Sequence, residues 1–490
     1  MTISEELRKV RRFEEEWKES GNSEMRPVYH LTGIKGWIND PNGFSFYKDQ
    51  VHLFYQAHPY AITHGPISWG HAVTDDFVKW SYLPSALAPD EKYDRNGCFS
   101  GTALTMPDGR QLLMYTGVDE EGDTPEQRKQ TQCIAIGDGV DYEKYESNPV
   151  IDESKLPEGS SNIDFRDPKI WMEDDRYYCI AVNRVADGSG AVLLFESDDT
   201  ITWQFKSIMA KSGYAYGDMW ECPDFFSLDG EELLVLSAQG MGNHELLVPG
   251  YISFALLGRF DKDRGVFESN RELMIDEGID FYAPQSLLMP DGRRIMVGWM
   301  QNWDTIKEGR QDLDFCGQMA IPREISMREG RLIQKPIREL DSYRTEKISY
   351  TNVSVSDDVQ LTGVSGRVMD LNLKIRAGEK GYDHFYIYLA EKDHIFTRID
   401  VDRHASQIRV NRSNSRAQLG TINERRFMYN KGSDEVTLRL LLDRYSLEIF
   451  VNEGEQAATF LIYSPGDAEG IHFSSDGDAE MDLEKYELKI

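Results

Sequence analysis

The sequence predicts an all-β protein, in which a five-bladed β-propeller is followed by a C-terminal β-sandwich. Two observations lead to this prediction. A strand–turn–strand pattern recurs five times in the first two thirds of the chain, and a different, alternating pattern replaces it from about residue 345. Four predicted strands in each repeat of about sixty residues are typical of propeller blades.

Each repeat contains a short apolar strand, a turn with an aspartate, and a second, more hydrophobic strand. The intervals between the turn aspartates are 59, 66, 55 and 62 residues, and the aspartates are Asp49, Asp108, Asp174, Asp229 and Asp291. Asp-Gly and Pro-Asp-Gly turns supply the positive φ angles that tight hairpins require. We therefore expect a catalytic propeller over residues 28–335.

The later part of the chain shows long two-residue alternation, as in VTLRLLLDRYSLEIFVN. This pattern indicates strands with one buried face, so we expect an antiparallel sandwich over residues 346–490, joined by a linker at 336–345. Residues 1–27 are predicted to be a charged helical segment, because Glu/Arg pairs recur at helical spacing from about Ser4 to Glu19, and we expect that helix to be solvated.

The composition excludes several classes of function. With 54 basic and 84 acidic side chains the net charge is −30, which disfavours binding to nucleic acid or to anionic membranes. There is no GxSxG elbow, no Gly-rich phosphate loop and no HExxH. The five cysteines lack CxxC spacing, which disfavours a disulfide framework and a zinc site, and the N-terminus lacks a signal peptide, so we expect a cytoplasmic protein. We also expect no metal or organic cofactor, because protonation and a carboxylate nucleophile suffice for the chemistry that the acidic residues indicate.

Three repeats place an acidic residue at the start of the predicted innermost strand. Asp40, Asp167 and Glu221 precede their turn aspartates by nine, seven and eight residues, and each lies near a proline. A single Asp-Pro is more often a turn opener than a catalytic group. Three acids at one position of a rotational repeat converge on the axis, where like charges raise each other's pKa, and this favours an acid/base site.

Two carboxylates around one bond are the apparatus of glycoside hydrolysis. Aromatic residues lie beside the same turns and could stack on sugar faces, and polar side chains nearby could bind hydroxyl groups. Asp280, close to the fifth repeat position, could contribute another carboxylate. A non-catalytic sugar-binding protein is the alternative, but a binder gains nothing from clustered like charges.

The stretches WINDPNG, GPISWGHAVTDDFVKW, CFSGTA, FRDPKIW, WECPDFF, DFYAPQ and LLLDRYSLEIFVNEGE together resemble glycoside hydrolase family 32, which contains invertases and fructanases. The resemblance extends from about residue 28 to the C-terminus. It implies a propeller followed by a sandwich, and retaining hydrolysis of terminal β-linked fructose. Sucrose and short fructo-oligosaccharides are the implied substrates. Hydrolysis of sucrose 6-phosphate and fructosyl transfer remain alternatives.

The resemblance also implies the roles of the acids. Asp40 would be the nucleophile that forms a fructosyl-enzyme, Glu221 the general acid/base, and Asp167 a ligand of fructose hydroxyls. The implied substrate-binding residues are Asn39, Gln56, Trp69, Phe99, Ser100, Arg166, Cys222 and Trp299. We expect the sulfur of Cys222 to desolvate the neighbouring Glu221 and so to raise its pKa.

Three further points stay open in the sequence. An arabinanase-type propeller would also bring three acids together but would invert configuration. A phosphorylated substrate would require cations at the site, and the candidates Arg95, Lys169 and Arg293 are scattered along the chain. A monomer and a homodimer fit the sequence equally well.

Overall fold

A computed structural model describes residues 3–20, 26–120, 128–244, 247–306, 313–416, 422–429 and 435–490. In these ranges nearly all regular structure is β-strand, which confirms the predicted all-β class. The one long helix that is described, α1, spans Glu5–Ser20. Short 3₁₀ helices cover Lys92–Asp94, Glu153–Lys155, Arg338–Tyr343 and Asn452–Gly454. No helix in the described ranges is long and apolar enough to cross a bilayer.

The first part of the chain forms five separate sheets, and each sheet contains one of the five predicted repeats. The strands of the first two sheets are β1 Gly36–Tyr47, β2 Gln50–His58, β3 Ser68–Thr74, β4 Ser81–Leu87, and then β5 Gly97–Thr105, β6 Gln111–Glu120, β7 Arg128–Gly137, β8 Tyr142–Lys144. The third and fourth sheets are β9 Phe165–Glu173, β10 Arg176–Arg184, β11 Gly190–Ser197, β12 Gln204–Lys211, and then β13 Met219–Leu228, β14 Glu231–Met241, β15 Gly250–Asp261, β16 Val266–Met274. The fifth consists of β17 Tyr282–Leu288, β18 Arg294–Trp299, β20 Arg323–Arg328 and β21 Arg331–Pro336.

The five sheets close into a ring around a central axis. The first strands of neighbouring sheets contact one another in the order β1, β5, β9, β13 and β17, and β17 contacts β1 again. A short strand, β19 Phe315–Cys316, also pairs in parallel with Gly36 and Trp37 at the start of β1. The chain between β18 and β20 is therefore hydrogen-bonded to the first sheet, and this pairing helps to close the ring.

The hairpin turns between first and second strands follow the predicted chemistry. Lys48 and Asp49 have φ angles of 48° and 63°, and Asp174 and Asp175 have φ angles of 52° and 60°. Positive φ at both central residues is the geometry of a type I′ turn, which matches the twist of the flanking strands. The aspartates used to align the repeats therefore mark real hairpins.

The second part of the chain forms two packed antiparallel sheets. One has the strand order β22-β32-β23-β28-β29-β30 and the other β27-β26-β25-β24-β31. Their strands are β22 Arg344–Val355, β23 Val368–Ala377, β24 His384–Lys392, β25 Ile395–Asp402, β26 Gln407–Asn411, β27 Glu424–Met428, β28 Glu435–Asp443, β29 Ser446–Val451, β30 Gln456–Leu461, β31 Gly470–Ser475 and β32 Ala479–Leu488. A single apolar cluster fills the space between them, as the alternating sequence predicts.

The predicted end of the propeller at residue 335 and the predicted start of the sandwich at residue 346 stay predictions.

A buried network of charges joins the propeller to the sandwich. His30 lies between Asp443 and Glu448, with 2.8 Å from each ring nitrogen to a carboxylate oxygen. The Arg323 guanidinium donates to Glu448 at 2.9 Å and to Asp276 at 2.8 Å. Burial would lower the pKa of His30, but the hydrogen bonds that its ring donates to both carboxylates raise it to about 9. Because every charge has a partner, the network fixes how the domains are docked.

The N-terminal helix does not lie free in solvent, so the expectation of a solvated helix is wrong. Leu7 and Val10 of α1 are buried against Ala88. The backbone N–H of Ser85 in β4 donates to Glu14 at 3.1 Å. The side chain of Arg11 donates to the backbone carbonyl oxygen of Ser85 at 2.8 Å. The charged residues of the helix thus bind the outer strand of the first sheet. Part of the predicted segment, residues 1–2 and 21–25, lies outside the described residues.

We expect the substitution His30→Gln to lower stability at pH 7 but hardly at pH 10. The pKa of His30 is raised above its unfolded value, so its contribution is complete below about pH 6.5 and is lost as the pH rises through about 9. The stabilisation still present at pH 7 is about 2–3 kcal/mol. Thermal unfolding midpoints of the wild type and the variant, compared at both pH values, measure it.

The control is His404→Gln, because His404 is an exposed histidine that pairs with Asp383 on the surface of the sandwich. It should change the midpoint little at either pH. If His30→Gln lowered the thermal midpoint equally at pH 7 and pH 10, the stabilisation would not depend on the charge of His30.

Candidate active site

Every inner strand is interrupted by a β-bulge at the same place. The pairing with the second strand shifts register between Ile38 and Pro41, Phe99 and Gly101, Arg166 and Lys169, Glu221 and Asp224, and Tyr282 and Gln285. Bulges re-aim side chains and are frequent beside active sites. Asp40 and Asp167 lie inside two of these bulges, and Glu221 is the first residue of a third.

Three of the bulges share one unusual backbone conformation. Asp167, Cys222 and Ala283 each precede a proline and have φ angles of 59°, 49° and 53°. The backbone N–H of Asp167 donates to Thr116 of the preceding sheet, and the N–H of Ala283 donates to Ser237, both at 3.0 Å. Positive φ is unfavourable for these residue types, so neighbouring sheets stabilise a strained backbone at the hub.

Asp40 lies at the centre of the site and is almost completely buried. Ser100 donates to its Oδ2 at 2.5 Å, and Gln56 donates to the same oxygen at 3.1 Å. Asn39 donates to Oδ1 at 3.1 Å. The Sγ of Cys222 lies 3.3 Å from Oδ2 as a further donor. Four donors to one carboxylate favour its ionised form and fix its orientation.

Cys222 connects Asp40 to Asp167. Its backbone N–H donates to the Oδ2 of Asp167 at 3.0 Å, and its Sγ lies 3.7 Å from the same oxygen. The thiol therefore faces these two carboxylates, and its expected effect on Glu221 stays a prediction.

Glu221 is held from two sides. Arg166 donates to its Oε1 at 3.3 Å, and the hydroxyl group of Tyr282 donates to Oε2 at 2.8 Å. Arg166 also lies 4.0 Å from Asp167 and donates to Asp164 at 3.0 Å. Through Cys222 and Arg166 the three predicted acids belong to one connected cluster.

Burial raises the pKa values of two of the acids, Asp40 and Asp167. Burial is the main cause that raises the pKa of Asp40, and the charge of Glu221 raises it further, whereas the hydrogen bond from Ser100 opposes the shift. Burial also raises the pKa of Asp167 to about 7. The Arg166 guanidinium opposes this shift, and the charges of Glu221 and Asp40 add to it. Such shifts are typical of acid/base sites.

An aromatic wall lies beside the acids. Trp37 packs 5.8 Å from Trp299 and 5.9 Å from Trp303 between ring centroids, and its indole N–H donates to Asn39 at 2.7 Å. Of the predicted sugar-binding aromatics, Phe99 is partly exposed, whereas Trp69 and Trp299 are completely buried. Trp69 donates to the carbonyl oxygen of Phe99 at 3.0 Å and so supports the strand beneath the site. Direct sugar contacts of Trp69 and Trp299 stay predictions.

The structure excludes Asp280 from the site. Its carboxylate pairs with Arg412 of the sandwich and accepts from the backbone N–H of Leu461, so it belongs to the contact between the two domains. The candidate phosphate-binding cations are also engaged. Lys169 lies 3.1 Å from Asp224. Arg95 pairs with Asp119, and Arg293 with Asp291, Glu324 and Glu339.

The sequence did not identify Tyr282, whose hydroxyl group donates to Glu221. The repeat alignment could have shown it, because Tyr282-Ala283-Pro284 matches Glu221-Cys222-Pro223 position by position. A residue at that position in one sheet faces the equivalent residue in the next.

Within the described ranges no group of three or more His, Cys, Asp or Glu residues could hold a metal ion.

Comparisons with known proteins cover nearly the whole chain. Residues 30–336 match the glycosyl hydrolases family 32 N-terminal domain, and residues 339–489 match the family 32 C-terminal domain. A raffinose invertase of Escherichia coli is 35% identical over 464 residues, covering 92% of this chain and 93% of that protein. A sucrose-6-phosphate hydrolase of Escherichia coli is 32% identical over 461 residues, covering 93% of each.

A solved structure has the same architecture. It is a Bombyx mori GH32 β-fructofuranosidase mutant in complex with sucrose, with a TM-score of 0.85 at 29% identity, and it covers 99% of this chain and 98% of that one. The fold class predicted from the sequence is thus shared with known enzymes along nearly the whole chain.

We expect Asp167→Asn to stabilise the protein at pH 8. The pKa of Asp167 is raised to about 7, so the wild type is stabilised by this group below about pH 4 and loses that contribution as the pH rises through 7. An amide still accepts from Cys222 and avoids the buried charge. The gain at pH 8 is on the order of 2 kcal/mol or more and vanishes towards pH 4.

Thermal midpoints at pH 8 and pH 4 measure this effect. Asp108→Asn, the same change at an exposed hairpin turn, is the matched control and should be neutral. A lower midpoint for Asp167→Asn at pH 8 would mean that the ionised carboxylate stabilises the hub.

Proposed function

Because the chain belongs to glycoside hydrolase family 32, we propose that it releases terminal β-linked fructose from sucrose and short fructo-oligosaccharides. The chain is a glycoside hydrolase. The observation that supports the substrate and mechanism most directly is the connected cluster of Asp40, Asp167 and Glu221, linked by Cys222 and by Arg166.

In the first proposed step a carboxylate oxygen of Asp40 attacks the anomeric carbon of the fructosyl unit. The bond from that carbon to the glycosidic oxygen breaks, and Glu221 gives its proton to this oxygen as the leaving sugar departs. The four donors around Asp40 support this assignment, since they favour the ionised form that a nucleophile needs. The partial exposure of Glu221, 16% for its side chain, supports its role at the leaving-group side.

In the second step water attacks the same carbon. Glu221 takes a proton from the water, and Asp40 is released as a carboxylate, so configuration is retained. Asp167 binds fructose hydroxyl groups. With its pKa raised to about 7, it can donate or accept a hydrogen bond near neutral pH. Arg166 and Tyr282 hold the Glu221 carboxylate in place through both steps.

Hydrolysis of sucrose 6-phosphate is the second candidate, because a relative with that printed activity aligns with 93% of the chain. The three cations considered for the phosphate are paired with carboxylates, and this favours the unphosphorylated substrate. Comparing kcat/KM on sucrose and on sucrose 6-phosphate decides between the two. Fructosyl transfer would appear in the same assay as longer oligosaccharides.

The stereochemistry, location, cofactor requirement and oligomeric state of the protein are also proposals. An inverting, arabinanase-type reaction is separated from the retaining one by the anomer of fructose first released. The five cysteines are free thiols in the structure, and this supports a reducing, cytoplasmic location. The absence of a cofactor and the choice between a monomer and a homodimer stay predictions.

We expect Asp40→Asn and Glu221→Gln each to lower kcat on sucrose by about a thousandfold or more, since each removes a group that acts on the reacting bond. This loss corresponds to roughly 4 kcal/mol of barrier. Product analysis by chromatography measures it, with Asp108→Asn as the matched control. Near-normal turnover of either variant would place the site elsewhere.

We expect Cys222→Ala to move the acidic limb of the kcat/KM profile to higher pH and to leave the alkaline limb in place. The thiol donates to Asp40 and favours its ionised form, so its loss raises the pKa of Asp40 further. A profile of kcat/KM against pH on sucrose measures both limbs.

Cys222→Ser is the control for Cys222→Ala, because serine keeps a donor at the same position, and it should restore much of the acidic limb. If only the alkaline limb moved in Cys222→Ala, the thiol would act on the pKa of Glu221 and not on that of Asp40.

A further inference from the structure

The N-terminal helix α1 lies outside the residues that match the family 32 domains, which begin at residue 30. It is nevertheless anchored independently of the site. Ser85 of β4 donates through its hydroxyl group to Glu14 at 2.5 Å, and Leu7 and Val10 are buried. A firmly docked helix can position whatever its other side chains contact.

Of those other side chains, Phe13 contacts the connection between β2 and β3, and Phe13 and Trp17 both contact Lys35 just before β1. The ring of Phe13 lies 4.9 Å from that of Tyr60, edge to face. The Nζ of Lys35 lies 3.8 Å from the ring centre of Trp17 and 5.4 Å from that of Phe13. Tyr60 is half exposed with the helix in place, and the ring of Phe13 is an aromatic support on its covered side.

The contact continues from Tyr60 towards the site. The rings of Tyr60 and His58 are 6.0 Å apart, and the Nδ1 of His58 hydrogen-bonds the carbonyl oxygen of Thr63 at 2.9 Å. A Cβ atom added to Gly65 would lie 2.4 Å from the ring of His58. The residues on both sides of His64 are therefore packed against His58, and the backbone of His64 is fixed.

His64 lies at the mouth of the site. Its ring centre is 5.9 Å from that of Trp37, 5.8 Å from that of Phe99 and 6.1 Å from that of Trp303. The side chain reaches solvent. Desolvation by the packed rings, and then the charge of His58, lower the pKa of His64. At neutral pH the imidazole is therefore neutral and can both donate and accept a hydrogen bond.

We propose that α1 is a positioning element for substrate selection: through Phe13, Tyr60 and His58 it holds His64 where the sugar that leaves with the glycosidic oxygen contacts it. The fructosyl unit lies deeper, against Asp40 and its donors, so an exposed ring at the mouth meets the other part of the substrate. The inference rests on the proposed function, since it names the subsite for the leaving group.

The test compares sucrose with raffinose, whose leaving groups differ while the fructosyl unit is the same. We expect Phe13→Ala to raise KM for sucrose roughly three- to tenfold and to change the ratio of kcat/KM between the two substrates. Inhibition by free fructose should not change, because fructose alone does not reach His64. A merely structural loss would lower kcat/KM equally for both substrates.

Two further variants keep the test decisive. Tyr60→Ala removes the same contact from the other side without altering the helix, and Glu15→Gln changes an exposed residue of the same helix as a matched control. In the double variant Phe13→Ala/His64→Ala the effects should not multiply, because both changes act through one contact. Thermal midpoints show that each variant is folded at the assay temperature.

Three results would overturn the inference: an unchanged substrate ratio in both Phe13→Ala and Tyr60→Ala, no effect of His64→Ala, or effects that multiply. A wild-type protein that releases no fructose from either sugar would instead contradict the proposed function.

Discussion

The bulge that interrupts each inner strand is the constraint on which the site depends. Without it, side chains would alternate between the two faces of each sheet, and none would be directed along the axis. At Asp167, Cys222 and Ala283 the bulge takes a positive φ and is followed by a proline, which needs no ladder hydrogen bond. The hydroxyl groups of Thr116 and Ser237 bind the freed N–H groups of Asp167 and Ala283. The propeller thus stabilises a backbone that would be strained in isolation.

Buried charges have two different roles in this molecule. Between the domains, His30, Glu448 and Arg323 form a network of opposite charges in which each group has a partner. At the hub three carboxyl groups lie together, and burial, with the charges of Glu221 and Asp40 adding to it, raises the pKa of Asp167. The first arrangement fixes the orientation of the domains. The second costs stability and provides groups that exchange protons near neutral pH.

The sequence was sufficient for the features that depend on local chemistry and on repetition. The turn aspartates marked the hairpins, and their spacing aligned Asp40, Asp167 and Glu221, which the structure brings into one cluster. It was not sufficient for contacts between distant segments. The pairing of Asp280 with Arg412 joins residues far apart in the chain, and the packing of α1 on β4 follows no local pattern. The contact of the Cys222 thiol with Asp40 joins residues 182 positions apart, and residue spacing does not determine it.

If the inner-strand bulges present the three acids to one sugar ring, a crystal structure of the Asp40→Asn variant soaked with sucrose should show this arrangement. We expect the fructosyl unit to lie at the hub, with Asp167 on its hydroxyl groups and Glu221 beside the glycosidic oxygen. A sucrose molecule bound in another cleft, or one that touches only one of the acids, would contradict it.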